Sequence, residues 1–154
     1  MKKSNLTTLR VLLVMSMIGS GMSLLAYLMM ACLLPQFREV YEANQNLFPE
    51  QFVTAYERML EIPQLFYAGC TVLYALSLMG VILMWKLRKS GFHCYALAQL
   101  LLLLLPVLFL GRAYLGLGDI MFTLLFVAAY YLLLKSLGVF APPEENPTDN
   151  QDIP

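Results

Sequence analysis

Side chains that could do chemistry are scarce in this chain, and few are spaced to act together. Its three cysteines, Cys32, Cys70 and Cys94, form no Cys-x-x-Cys pair. A four-helix thiol oxidoreductase needs closely placed, reactive cysteine pairs. A Cys32–Cys70 bridge would need Cα atoms within about 7 Å. Their different helical depths favour free, buried thiols instead. His93 is the only histidine, and no acidic residue accompanies it on its own apolar stretch, which makes a poor metal site. Gln99 is the one strongly polar residue well inside an apolar stretch. Its expected role is an interhelical hydrogen bond worth about 0.6–2 kcal/mol; a substrate contact is the sharper reading. Arg112 and Asp119 flank a short connection and complete, with Gln99, a candidate polar site. Arg38, Glu57, Arg58 and Glu61 are expected at the same face, where ordinary solvated charges explain them, since exposed ion pairs are weak. No nucleophile–base pair, metal set or phosphate cradle emerges, so neither catalysis nor a cofactor is expected.

The elements that must position these residues are four long apolar stretches, at residues 11–34, 64–85, 92–110 and 120–134. A helix of about 20 apolar residues rises about 30 Å, enough to cross the hydrocarbon core. The chain has 154 residues, 60% hydrophobic and 13% charged, against roughly 25% charged in a soluble domain. Four spans with short connections leave no room for a further soluble domain of about 100 residues. The fourth stretch has 15 residues between Asp119 and Lys135, about 22 Å of helix. Lys135 is therefore expected to snorkel while the helix continues to about Leu137, with Gly138 as its stop. Asp119 should suit the helix dipole at the start of that span.

The first connection, residues 35–63, reads as the most structured. After Pro49, the residues Phe52, Val53, Tyr56, Met59 and Leu60 form one apolar helical stripe, with Glu50, Gln51, Glu57, Arg58 and Glu61 opposite. A weaker stripe of Phe37, Val40 and Tyr41 precedes it, so one or two short helices are expected across the mouth of the bundle. Six residues join the second and third spans, which predicts antiparallel neighbours. Pro106 should kink the third span. In the first span, Ser16, Gly19, Ser20 and Ser23 recur at four-residue spacing and are expected to let a neighbouring helix approach. The fold class is thus an all-α membrane protein: a four-helix transmembrane bundle over residues 1–140, with a short amphipathic helical segment in its first outer loop. Residues 141–154, with four prolines and four acidic residues, read as a disordered acidic cytoplasmic tail.

Charge placement sets the orientation. Lys2, Lys3, Arg10, Lys86, Arg88, Lys89 and Lys135 fall on one side of this topology, and Arg38, Arg58 and Arg112 on the other. By the positive-inside bias both termini face the cytoplasm. Lys86, Arg88 and Lys89 are also expected to touch anionic lipid, at about 1 kcal/mol each. Net charge is zero, so no basic field draws nucleic acid. No span carries an ionisable group at mid-depth, which disfavours a single-copy proton-coupled pump and leaves oligomeric pores open. The basic start also matches a signal peptide, but the apolar run that follows exceeds the usual 7–15 residues, so retention is expected.

The stretch Met84-Trp85-Lys86-Leu87-Arg88-Lys89-Ser90-Gly91-Phe92-His93-Cys94-Tyr95, with Ala98-Gln99, Pro106 and Gly118-Asp119, resembles a family of small four-span bacterial membrane proteins of the Bacteroides–Prevotella type. No activity is attached to that family. The resemblance implies a bacterial inner membrane and no particular chemistry. The leading expectation is a non-enzymatic component that binds lipid or a membrane-protein partner. The alternative is a small homo-oligomeric transporter or channel using Gln99, Arg112 and Asp119. Topology is directly testable: reporter fusions after Ser136 and within residues 45–48 should report opposite compartments, with the Ser136 fusion cytoplasmic.

Overall fold

The computed structural model describes residues 2–44, 49–112 and 116–141. Among these, the chain forms five helices and no strand: α1 (Lys2–Ala43), α2 (Glu50–Glu61), α3 (Gln64–Trp85), α4 (Lys89–Leu110) and α5 (Leu117–Ser136). All but α2 are long and apolar enough to cross a membrane. The architecture is an all-α bundle with α3 at its centre, packed along α1 on one side and α4 on the other. Asn5 donates to the Ser136 hydroxyl at 3.0 Å, so the start of α1 and the end of α5 share one end of the bundle.

Helix α1 departs from the sequence expectation. It does not stop near Leu34 but runs 42 residues, straight through Pro35. Proline has no N–H, so the carbonyl four residues earlier, at Ala31, loses its ladder donor. The Gln64 side chain supplies the replacement, donating to the Ala31 carbonyl at 2.7 Å. The stripe of Phe37, Val40 and Tyr41 is therefore no separate helix but the last turns of α1. α2 is the short amphipathic helix the spacing predicts. Val53, Tyr56, Met59 and Leu60 are half-buried, whereas Glu57, Arg58 and Glu61 are exposed. The side chains of Glu50, Gln51 and Phe52 lie outside the described residues. The Tyr56 ring meets Phe37 at 5.7 Å and Tyr41 at 6.1 Å. Arg38 donates to the Leu60 carbonyl at 2.7 Å, tying the last turn of α2 to α1.

α3 and α4 are antiparallel neighbours, as expected, but their link is tighter than six residues. It spans residues 86–88, with Leu87 in the left-handed region at φ 54°. A Cβ on Gly80 would sit 2.7 Å from the Tyr95 backbone nitrogen, and one on Gly91 would sit 2.5 Å from that of Met84. The two backbones thus touch where neither residue has a side chain, the close approach that small residues permit in lipid. α5 ends as anticipated. Gly138 has φ 79°, and Val139 and Gly138 return their N–H groups to the Leu134 and Lys135 carbonyls in a Schellman turn. Residues 142–154, assigned above to an acidic tail, lie outside the described residues, as do 45–48.

Two apolar cores form. Near the termini, Leu9 and Leu13 of α1, Val81 and Met84 of α3, Tyr95 of α4 and Tyr130 and Leu134 of α5 are buried together. At the distal end, Leu34, Phe66, Tyr67 and Cys70 pack with Met59, Leu60, Leu105 and Phe109. All four long helices build the first core; among the described residues, α5 contributes nothing to the second. Gly80→Val should therefore destabilise by about 1–3 kcal/mol through overpacking. Gly19→Val, at a position with open space around it, should be near neutral when both are unfolded by denaturant in mixed micelles.

Candidate functional site

One face of α1 carries a ladder of hydroxyls into the bundle. Ser16 and Ser20 are buried, and Ser23 is half-buried. The Tyr130 hydroxyl donates to the Leu12 carbonyl at 2.8 Å. Its one proton is thereby used, so the Ser16 hydroxyl, 2.6 Å away, donates to it. Higher in the bundle, Ser20 and Ser77 pair at 3.2 Å, and the Gln99 amide donates to Ser77 at 3.1 Å. Three helices are joined by that chain. Gly19 does not share this face. It lies about 60° around the helix from Ser16 and is exposed, and a Cβ added to it would meet nothing within 4 Å. The four-residue repeat from Ser16 thus faces the bundle, and Gly19 does not.

Above the Ser20–Ser77–Gln99 chain lies a cavity of about 310 Å³. It exists because α5 is anchored only by its second half, where Tyr130 and Leu134 are its buried residues. The first half stands off from the distal core. Tyr27 of α1, Phe66, Cys70 and Tyr74 of α3, Gln99, Leu102 and Pro106 of α4, and Asp119, Phe122 and Thr123 of α5 line the space. Tyr27 stacks on Tyr74 at 5.3 Å and meets Phe66 edge-on at 6.4 Å. The exposed Asp119 carboxylate stands at the open side of this space.

Gln99 and Asp119 therefore meet at one cavity. Arg112 does not join them: it is exposed, does not line the cavity and has no ion pair with Asp119. The short connection separates the two charges rather than pairing them. Arg38, Glu57 and Glu61 instead line a separate groove between α1 and α2, with Tyr41, Glu42 and Leu60. Lys86, Arg88 and Lys89 are exposed at the α3–α4 turn. Lys86 and Trp85 border a shallow groove with Val14, Met17 and Ile82. The cysteines are all free, but only Cys70 is buried; Cys32 is exposed on α1 and Cys94 half-buried. The expectation of buried thiols thus holds for Cys70 alone, because Cys32 lies off the packing face. Among the described residues no three His, Cys, Asp or Glu side chains gather as a metal set.

Sequence reading missed Tyr27, Tyr74, Ser77 and Thr123. A signal was present for two of them: Tyr67, Cys70, Tyr74 and Ser77 recur at helical spacing as a polar-tipped stripe on a largely apolar span. The class defined by fold and site is a multi-pass α-helical membrane protein with a cavity inside its bundle. No protein-family model, curated protein or solved structure matches the chain. The buried linkage yields a test. Ser77→Ala should cost about 1 kcal/mol. In a double-mutant cycle with Gln99→Leu the two losses should fall short of additive, since both remove the same bond.

Proposed function

We propose that this protein is a non-enzymatic component of a bacterial inner membrane that binds a small amphipathic molecule inside its bundle. The observation that carries the reading is the cavity between α5 and the other three long helices. A concave space lined by aromatic and aliphatic side chains together with convergent polar groups describes a small-molecule site. Among the described residues its lining offers no nucleophile–base pair: Cys70 is the one thiol, and no histidine or amine accompanies it. Both termini are assigned to the cytoplasm on the charge asymmetry, which puts the cavity mouth and α2 on the outer side. Lys86, Arg88 and Lys89 then meet the anionic headgroups of the inner leaflet.

A second reading, a homo-oligomeric transporter, has one observation in its favour. The cavity reaches Gln99, the eleventh residue of the 22-residue α4 and so about mid-membrane. Below that point, however, the Ser20–Ser77–Gln99 chain and the four-helix core close the path. Binding without passage fits that closure better. Thr123→Trp should fill the cavity from α5, which packs loosely enough to accept it. Mass spectrometry of the purified protein should show a small molecule retained by wild type and lost from Thr123→Trp, with the thermal midpoint unchanged. Equal retention by both would rule the cavity out, and solute flux in proteoliposomes that Thr123→Trp abolished would favour the transporter.

A further inference from the structure

The chemistry of the cavity lining narrows the ligand, an inference that rests on the cavity being a binding site. Among the described residues Asp119 is the only formally charged one on the lining. No described basic residue pairs with it. Gln99 already donates through its amide to Ser77, which leaves its carbonyl oxygen as an acceptor. A third acceptor comes from the backbone. Pro106 lies inside α4, so the Leu102 carbonyl one turn earlier lacks its ladder donor. Pro35 creates the same vacancy in α1, and there Gln64 fills it. Among the described residues no side chain does so for Leu102, which lines the cavity beside Pro106.

Aromatic rings from three helices, Tyr27, Phe66, Tyr74 and Phe122, complete the walls. Ring faces are the negative end of the aromatic quadrupole and attract cations. The cavity thus combines one negative charge, carbonyl acceptors, hydroxyls and aromatic rings with, among the described residues, no compensating cation. An anion would meet the Asp119 carboxylate with, among the described residues, no basic side chain on the lining to offset it. An uncharged hydrocarbon would offer the Asp119 carboxylate no counter-charge. A volume of about 310 Å³ is at the small end of ligand sites, too little for a whole phospholipid.

We propose that the cavity binds a lipophilic ammonium ion. The charged N–H head lies at Asp119 on the α5 wall. The apolar body lies between the aromatic rings and extends toward Gln99. The same head chemistry exists in free amines and in ethanolamine headgroups.

Calorimetry on the full chain in phosphatidylcholine nanodiscs, with empty nanodiscs subtracted, tests this. The probes are 2-phenylethylammonium, its uncharged isostere n-propylbenzene, and the anion 3-phenylpropionate. The expected result is ammonium binding at least about tenfold tighter than either other probe. Asp119→Asn should remove that preference, Asp119→Glu should keep it, and Thr123→Trp should abolish binding. Repeating the titration in phosphatidylethanolamine nanodiscs separates the sources: lost probe binding assigns a lipid headgroup, unchanged binding a free amine. Equal affinity for ammonium and isostere, a preference for the anion, or an Asp119→Asn variant that still prefers ammonium would overturn the ligand class while leaving the cavity as a site. Absence of binding by all three probes, or binding that Thr123→Trp leaves intact, would overturn the cavity reading itself.

Discussion

Within a bilayer every backbone polar group must find its partner inside the protein, and this constraint organises the molecule. Its clearest expression is at Pro35. Pro35 strips the Ala31 carbonyl of its ladder donor. The Gln64 side chain reaches across from the first turn of α3 and fills the vacancy at 2.7 Å. That single bond has two consequences. α1 continues as one helix to Ala43 instead of ending at the proline. It also fixes the start of α3 against α1, so the short α2 between them must fold back along the extended end of α1. The Arg38–Leu60 bond and the rings of Phe37, Tyr41 and Tyr56 are the contacts that result.

Helix association in lipid gains little from burying apolar surface, so contact geometry and interhelical hydrogen bonds must supply it. The bundle divides these between its interfaces. α3 and α4 are joined by backbone contact at Gly80 and Gly91. α1 and α3 are joined by the serine hydroxyls and by Tyr27 against Phe66, Tyr67 and Tyr74. α5 has neither device along its first half. It is fastened by Tyr130, which bonds Ser16 and the Leu12 carbonyl and meets the Tyr95 ring at 5.1 Å. A helix pinned at one end and free of glycine contacts at the other stands away from its neighbours, and the cavity is the space it leaves.

What the sequence made legible was local. Apolar runs of span length, the stripe of α2 and Gly138 as a stop each depend on neighbours within a few residues, and each appears where its spacing puts it. What it hid was pairing at a distance. Nothing near Pro35 announces that its missing donor will arrive from Gln64, so local rules alone end the helix there. Gly19 shares the four-residue period of small residues in the first span, yet it faces outward, and the backbone contact falls at Gly80 and Gly91. Rotation about the helix axis, which period alone leaves undetermined, decides between them. The candidate site divides in the same way. Gln99 and Asp119 stood out because polarity in an apolar context is conspicuous in a sequence. Tyr27 and Tyr74 did not, because a tyrosine in a span reads as an ordinary amphipathic residue until a cavity is seen beside it.

The polarity of the cavity changes with depth, and that gradient bears on what the bundle can do. Its mouth has a carboxylate, its lining carries tyrosine hydroxyls and Thr123, and its floor has an amide already bonded to Ser77, which pairs in turn with Ser20. The one full charge lies where hydration makes it easy to hold, in the first turn of α5, where the helix dipole also favours it. Below the floor the next polar tier, Ser16 with Tyr130, is sealed within an apolar core built by all four long helices. A solute passing through would have to part Gln99 from Ser77, Ser20 from Ser77 and Tyr130 from Ser16, leaving each group unpaired in hydrocarbon. Those bonds hold α5 and the centre of the bundle together, so opening the path would dismantle the packing that defines the cavity. That closure supports the proposed reading, in which a single copy holds a molecule inside its bundle, over passage across the membrane.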